Sequence, residues 1–323
     1  MSAPPSRRDA LQRIGAAAAM LGGTSALAAV SWDRDGAAAE SKSGVGSVRD
    51  FRVQPRDDLP HMAIVRRDDD PSSLTRAAVD ALGGMGRFIE AGDVVAIKPN
   101  IGWDRAPIHA ANTNPEVVAA LVRAAYDAGA EHVVVTDFSC NEPQRSFQRS
   151  GIWKAAYDAG AEVVLPADHL FKTVRMQGRV LDAWPVLRPL IDADKVINVP
   201  IVKHHSLAKL TCAMKNWYGI IGGRRNRLHQ DIHTSIADLA SFVRPTLTVI
   251  DAVRVLVRNG PQGGNVDDTK LMNTVVATVD QVAGDAFACE LLGEKPGGLD
   301  YLRQAHERGI GTMDLGEVRM KEV

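Results

Sequence analysis

Apolar runs of four to seven residues alternate with longer stretches of helical periodicity through most of the chain. The runs at 62–66, 94–97, 132–136, 196–199, 247–250 and 273–279 have the length and the bounding turn residues of buried strands. Helices are expected between them. One starts at Pro71-Ser72-Ser73 and runs to 82, and another spans 115–127, capped by Thr113 or Asn114 and closed by Gly129; two more cover 282–292 and 301–308. Ile232, Ile236, Leu239 and Val243 mark a further helical face, 186–191 also reads as helical, and 172–182 reads as a hairpin around Gln177-Gly178. The heptapeptide A-Y-D-A-G-A-E occurs twice, at 125–131 and 156–162, each copy followed by an apolar run, which gives two successive helix-to-strand units. Such alternation requires right-handed crossovers. The expected fold class is therefore α/β, a mostly parallel open sheet with helices on both faces and room for a second lobe.

The expected strands end in ionisable residues: Lys98, Asp137, Lys203, Asp251 and Asp280. Open parallel sheets bind ligands outside the carboxyl ends of their strands, so these residues are candidates for one shared site. Each has a plainer reading, since a lysine after a strand often just leaves the core and an aspartate there often caps the next helix. The densest chemistry lies in residues 195–239. Its apolar run, interrupted by Asn198 and Pro200, changes into a polar turn at Lys203, His204, His205 and Ser206, where the strand is expected to end. Lys215, Asn216, the Gly222-Gly223 pair, Arg224, Arg225, Arg227, His229 and His233 follow.

Between residues 195 and 231 seven Lys or Arg stand against one acid, in a chain of net charge -1. Charge gathered in this way points to an anion. Lys98, Asn100, Lys203, Lys215, Asn216 and Arg225 are the expected ligand-binding residues, for a small carboxylate or phosphate compound. His205 or His229 would act as general acid or base, and Asp137 or Asp251 would orient a partner or a metal. His229 and His233, four apart, also suit a metal if His205 reaches them, although no metal is assigned; structural histidines are the plainer alternative. Cys140, three residues after Asp137, is a candidate nucleophile, against the plainer reading of an inert thiol.

Several spaced motifs carry a family resemblance. V-P-I-V-K-H-H-S at 199–206 and T-C-A-M-K-N-W-Y-G at 211–219 form its centre. V-A-I-K-P-N at 95–100, Thr113 with Pro115, V-I-D at 249–251, Gly260-Pro261 and D-Q-V-A-G-D-A at 280–286 bracket it. In these motifs the chain resembles the DUF362 family over residues 64–314. Some members of that family carry ferredoxin-type cysteine clusters and are iron-sulfur proteins. Here Cys140, Cys212 and Cys289 are isolated, so no iron-sulfur cluster of its own is expected and the cofactor stays unknown. The resemblance leaves open an enzyme of undetermined reaction class, a redox or metal-handling accessory protein, and a non-catalytic ligand-binding module.

Composition narrows the surroundings. With 45% hydrophobic and 24% charged residues the chain is an ordinary globular one, and its near-zero net charge lacks the broad basic surface of a nucleic-acid binder, so no nucleic-acid partner is expected. Arg7-Arg8, an alanine-rich run at 14–30 and Ala26-Leu27-Ala28 resemble a Tat export signal, although Ala10 stands where a bulkier residue is usual. The expected organisation is a signal peptide at 1–30, a flexible tether at 31–58 and one α/β domain at 59–323. The expected location is periplasmic or extracellular, with no stable membrane span once the signal is cleaved.

Overall fold

The computed structural model describes residues 50–323. The expected signal peptide and most of the tether lie outside the described residues. The domain takes in residues expected to belong to the tether, because Phe51 is buried in the core and its amide donates to the Arg244 carbonyl at 3.1 Å. A lone phenylalanine in a stretch of Gly, Ala and charge carries no periodicity, so pattern reading passes over it.

One sheet organises the domain. Its path runs β12 (Met320–Glu322), β1 (Met62–Arg66), β11 (Thr269–Thr278), β10 (Leu247–Leu256), β7 (Lys195–Val199), β2 (Val94–Pro99), β3 (His132–Thr136), β4 (Glu162–Val164). Neighbours are parallel except at β11, which runs antiparallel to both β1 and β10. Side chains alternate along each strand. Val95, Ile97, Val133 and Val135 face a core shared with helices α1 (Pro71–Ala81), α2 (Pro115–Asp127), α3 (Pro143–Arg149) and α4 (Ile152–Asp158). Ala96, Val196, Ile250 and Val276 face the opposite core, built with α6 (Ile232–Phe242), α7 (Gln281–Leu291) and α8 (Asp300–Glu307). The expected α/β sheet with helices on both faces is the observed one. A second lobe is not, since the described residues 50–323 fall within one compact unit.

Local chemistry explains the element ends. Asp70 accepts from the Ser73 amide ahead of Pro71, and Asn114 accepts from the Glu116 amide ahead of Pro115. In the repeated heptapeptide, Gly129 and Gly160 take φ of 102° and 103°, and Ala130 and Ala161 donate back to Ala125 and Ala156. The repeat is thus a helix-closing turn used twice, each time feeding a strand.

Three expectations change. Residues 183–187 form β6 (Ala183–Leu187), paired with β5 (Phe171–Arg175) in a separate two-stranded sheet, and only α5 (Arg188–Ile191) is helical. Val186 and Leu187 are apolar and buried, and the hairpin pairing overrides their helical spacing. The run at 196–199 and the strand end expected at Lys203 belong to two strands, because the chain bends at Pro200 and continues as β8 (Ile201–His205), folding back through β9 (Lys209–Thr211). Asp280 follows the antiparallel β11, so it lies at the edge opposite Lys98 and Asp137, where it caps α7 by accepting from Val282 and Ala283.

Candidate functional site

From β2 the chain moves outward to β3 and β4, whereas β7 returns on the other side of β2. The carboxyl ends of β2 and β7 therefore flank a switch in strand order, where the outgoing loops part and leave a crevice. A cavity of about 370 Å³ opens there. Lys98 on β2 is fully buried, and its Nζ lies 2.6 Å from Asp137 Oδ1 just past β3; it also donates to the Pro99 carbonyl and to Asn216 Oδ1. Asp137 Oδ2 accepts from the Ile101 amide at 2.6 Å. Gly219 closes over this pair so tightly that a Cβ there would collide with Asp137 Oδ1 and Lys98 Nζ. Only glycine permits that approach.

Asn216 ties the wall together. Its Nδ2 donates to the Lys98 carbonyl and to Asn198 Oδ1, and its Oδ1 also accepts from Asn100 Nδ2. Asn100 Oδ1 in turn accepts from Lys203 Nζ at 2.9 Å, and the Ala111 carbonyl takes a second Lys203 hydrogen. Lys203 has no carboxylate partner among the described residues, and burial lowers its pKa to about 7. Lys215 sits with Nζ 4.7 Å from the Tyr218 ring centroid, and burial, with Arg225 nearby, lowers its pKa to about 8. Arg225 stacks 4.0 Å over the Phe138 ring and donates to the Phe138, Tyr218 and Ser139 carbonyls.

The histidines differ from one another. His205 Nδ1 accepts from the Leu207 and Ala208 amides at 3.1 Å each, which fixes the tautomer with its proton on Nε2. Burial, with Lys215 and Lys203 beside it, pushes its pKa down to about 2, so the ring stays neutral and offers an N–H rather than trading protons near neutral pH. His229 lies edge-on to Tyr218, and burial lowers its pKa as well. His233 stacks on Tyr301 and lies outside the cavity wall. Among the described residues no three His, Cys, Asp or Glu come together to hold a metal.

The cavity wall gathers Lys98, Asn100, Asp137, Lys203, His205, Lys215, Asn216, Arg225 and His229, together with Cys140. Asp251, expected to orient a partner or a metal, is not in that wall. Its carboxylate accepts from the Asn114 and Val253 amides, tying β10 to the head of α2, and burial raises its pKa to about 6. Arg224 and Arg227 lie outside the wall too. Asn198, Tyr218 and Gly219 escaped the sequence reading. Their signals were the polar interruption of the 196–202 run and the W-Y-G that follows Lys215-Asn216.

No helix among the described residues is long and apolar enough to cross a membrane. The chain is 26% identical over 246 residues to the thylakoid-associated protein sll1697 of Synechocystis sp., an alignment covering 73% of this chain and 74% of that protein. Its fold is similar to that of the lactate racemase apoprotein from Thermoanaerobacterium thermosaccharolyticum, with TM-score 0.41 and 11% identity, over 76% of this chain and 58% of that one. The family described as domain of unknown function DUF362 matches residues 95–290, more than half of the 323 residues, and the protein belongs to that family.

Proposed function

We propose that this protein is an exported enzyme whose cleft binds a small anionic compound, a carboxylate or a phosphate. One observation carries the reading. Lys98, Lys203, Lys215 and Arg225 line a single cavity in which Asp137 is the one carboxylate among the described residues, and Asp137 is taken up by Lys98. Three buried or half-buried cations thus face the cavity without a counter-charge of their own, an arrangement that burial penalises and an entering anion relieves. In this reading Lys203 and Lys215 hold the anion, the His205 Nε2–H donates to it, and His229 accepts a proton from the bound molecule. Arg225, held by three carbonyls, shapes the wall and adds charge.

Titration calorimetry of the purified full chain with inorganic phosphate and with oxalate tests the reading. A hydrogen bond to a charged group contributes about 1.5–3 kcal/mol, so Lys203→Met is expected to weaken binding roughly 10- to 150-fold. Absence of binding by the wild type to either anion, or equal affinity in the variant, removes the reading.

A further inference from the structure

The cations of the cleft are not equivalent. Lys98 Nζ is held by Asp137, Asn216 Oδ1 and the Pro99 carbonyl; Lys203 Nζ is held by Asn100 Oδ1 and the Ala111 carbonyl; Arg225 is held by three carbonyls. Lys215 is nine-tenths buried, reaches the same cavity and faces only the Tyr218 ring, with no oxygen acceptor for its nitrogen among the described residues. The aromatic face holds the nitrogen by a cation–π contact and leaves it without an oxygen partner among the described residues. We propose that Lys215 is a nucleophile that forms an imine with the carbonyl carbon of a small oxo acid or ketone phosphate, whose anionic group rests on Lys203. The proposal deepens the anion-binding reading and rests on it.

Depressed lysines beside other cations are the form in which this side chain does covalent work, because part of the population is neutral at working pH. At about 8, roughly a tenth of Lys215 is the free amine at pH 7. The step balances with groups already in the cleft. The Nζ lone pair forms the C–N bond while the carbonyl π pair moves to oxygen, which takes a proton from the Lys203 ammonium. The new ammonium returns a proton to Lys203. The hydroxyl then leaves as water, taking that proton, as the C=N bond closes. The products are a protonated imine, one water and neutral Lys203, with no change of oxidation state. The neutral His205 Nε2–H and Arg225 face the same cavity and favour the anionic end of the molecule.

Reductive trapping tests this. The full chain is incubated with pyruvate, dihydroxyacetone phosphate or uncharged acetone in the presence of borohydride, and the modified lysine is mapped by peptide mass spectrometry. Pyruvate or dihydroxyacetone phosphate is expected to label Lys215, with acetone labelling it at least tenfold less. Lys215→Arg, which keeps the charge, is expected to lose the adduct while melting within a few degrees of wild type. Labelling confined to other lysines, equal labelling by acetone, or an adduct that persists in Lys215→Arg overturns the proposal. Wild type that binds phosphate by calorimetry but yields no adduct sinks the imine alone, whereas neither binding nor adduct sinks the anion-binding reading with it.

Discussion

Lys203→Met separates stability from function in a way that only a buried, unpaired cation produces. In the unfolded chain this lysine has its ordinary pKa near 10.5, and in the fold burial lowers it to about 7. At about 1.4 kcal/mol per pH unit, the fold penalises the charged form by on the order of 5 kcal/mol. The unfolded chain therefore binds more protons between pH 7 and about 10.5, and the wild type gains stability as pH rises through that window. Below pH 7 both states are protonated and the penalty is fully present. Methionine removes the penalty, and it also strips a donor from Asn100 Oδ1 and the Ala111 carbonyl, each costing about 1–3 kcal/mol. At pH 7 the two effects are of similar size, so the variant is expected to be about as stable as wild type. At pH 9.5 most of the penalty has gone from the wild type, and the variant should fall behind by on the order of 3 kcal/mol. Lys98, Lys215, Asp137 and Cys140 act on Lys203, and they are common to both proteins, so the difference between them isolates this residue. Urea unfolding in Tris chloride free of phosphate and carboxylates measures it. A stability difference that does not change between pH 7 and 9.5 would refute a buried, unpaired Lys203.

One further outcome follows from a particular contact and one from the sequence. Gly219→Ala drives a Cβ into the Lys98–Asp137 pair; separating a buried ion pair costs about 3–5 kcal/mol, so a loss of melting temperature on the order of 10 °C is expected, and an unchanged melt would show that the pair does not lie beneath Gly219. We further propose Tat-dependent export. Replacing Arg7 and Arg8 together by lysine should hold the protein in the cytoplasm on cell fractionation, and export equal to wild type would dismiss the assignment.

Much of this architecture was legible because it repeats. The A-Y-D-A-G-A-E pair announced two helix-to-strand units, and both copies close their helices through a left-handed glycine. Strand ends carrying Lys98, Asp137 and Lys203 pointed to one edge, and these residues do share one cavity. What failed to show was whatever depends on strand direction or on partners distant in sequence. Period-two alternation is the same whichever way a strand runs, so Asp280 looked like another site residue although β11 reverses. Asp251 likewise ends an apolar run, but its partners are the backbone of a loop 137 residues earlier and its own strand. Residues 183–187 are strand through pairing with 171–175, a contact that local spacing does not encode.

The manner in which the cleft holds its charge is itself an argument for a ligand. A carboxylate beside Lys203 would have neutralised it and left little field for anything entering the cavity. Amide and carbonyl oxygens carry only partial charge, so Asn100 Oδ1 and the Ala111 carbonyl orient the ammonium without cancelling it, and three carbonyls do the same for Arg225. The carboxylates that the sequence does supply nearby are diverted, Asp137 to Lys98 and Asp251 to the head of α2. Asn216 fixes β2, β7 and its own loop through one amide group, so this positive wall stands before any ligand arrives. Such preorganisation costs stability in the empty protein, which is the expected balance when a site's charges are arranged for a bound anion rather than for the fold.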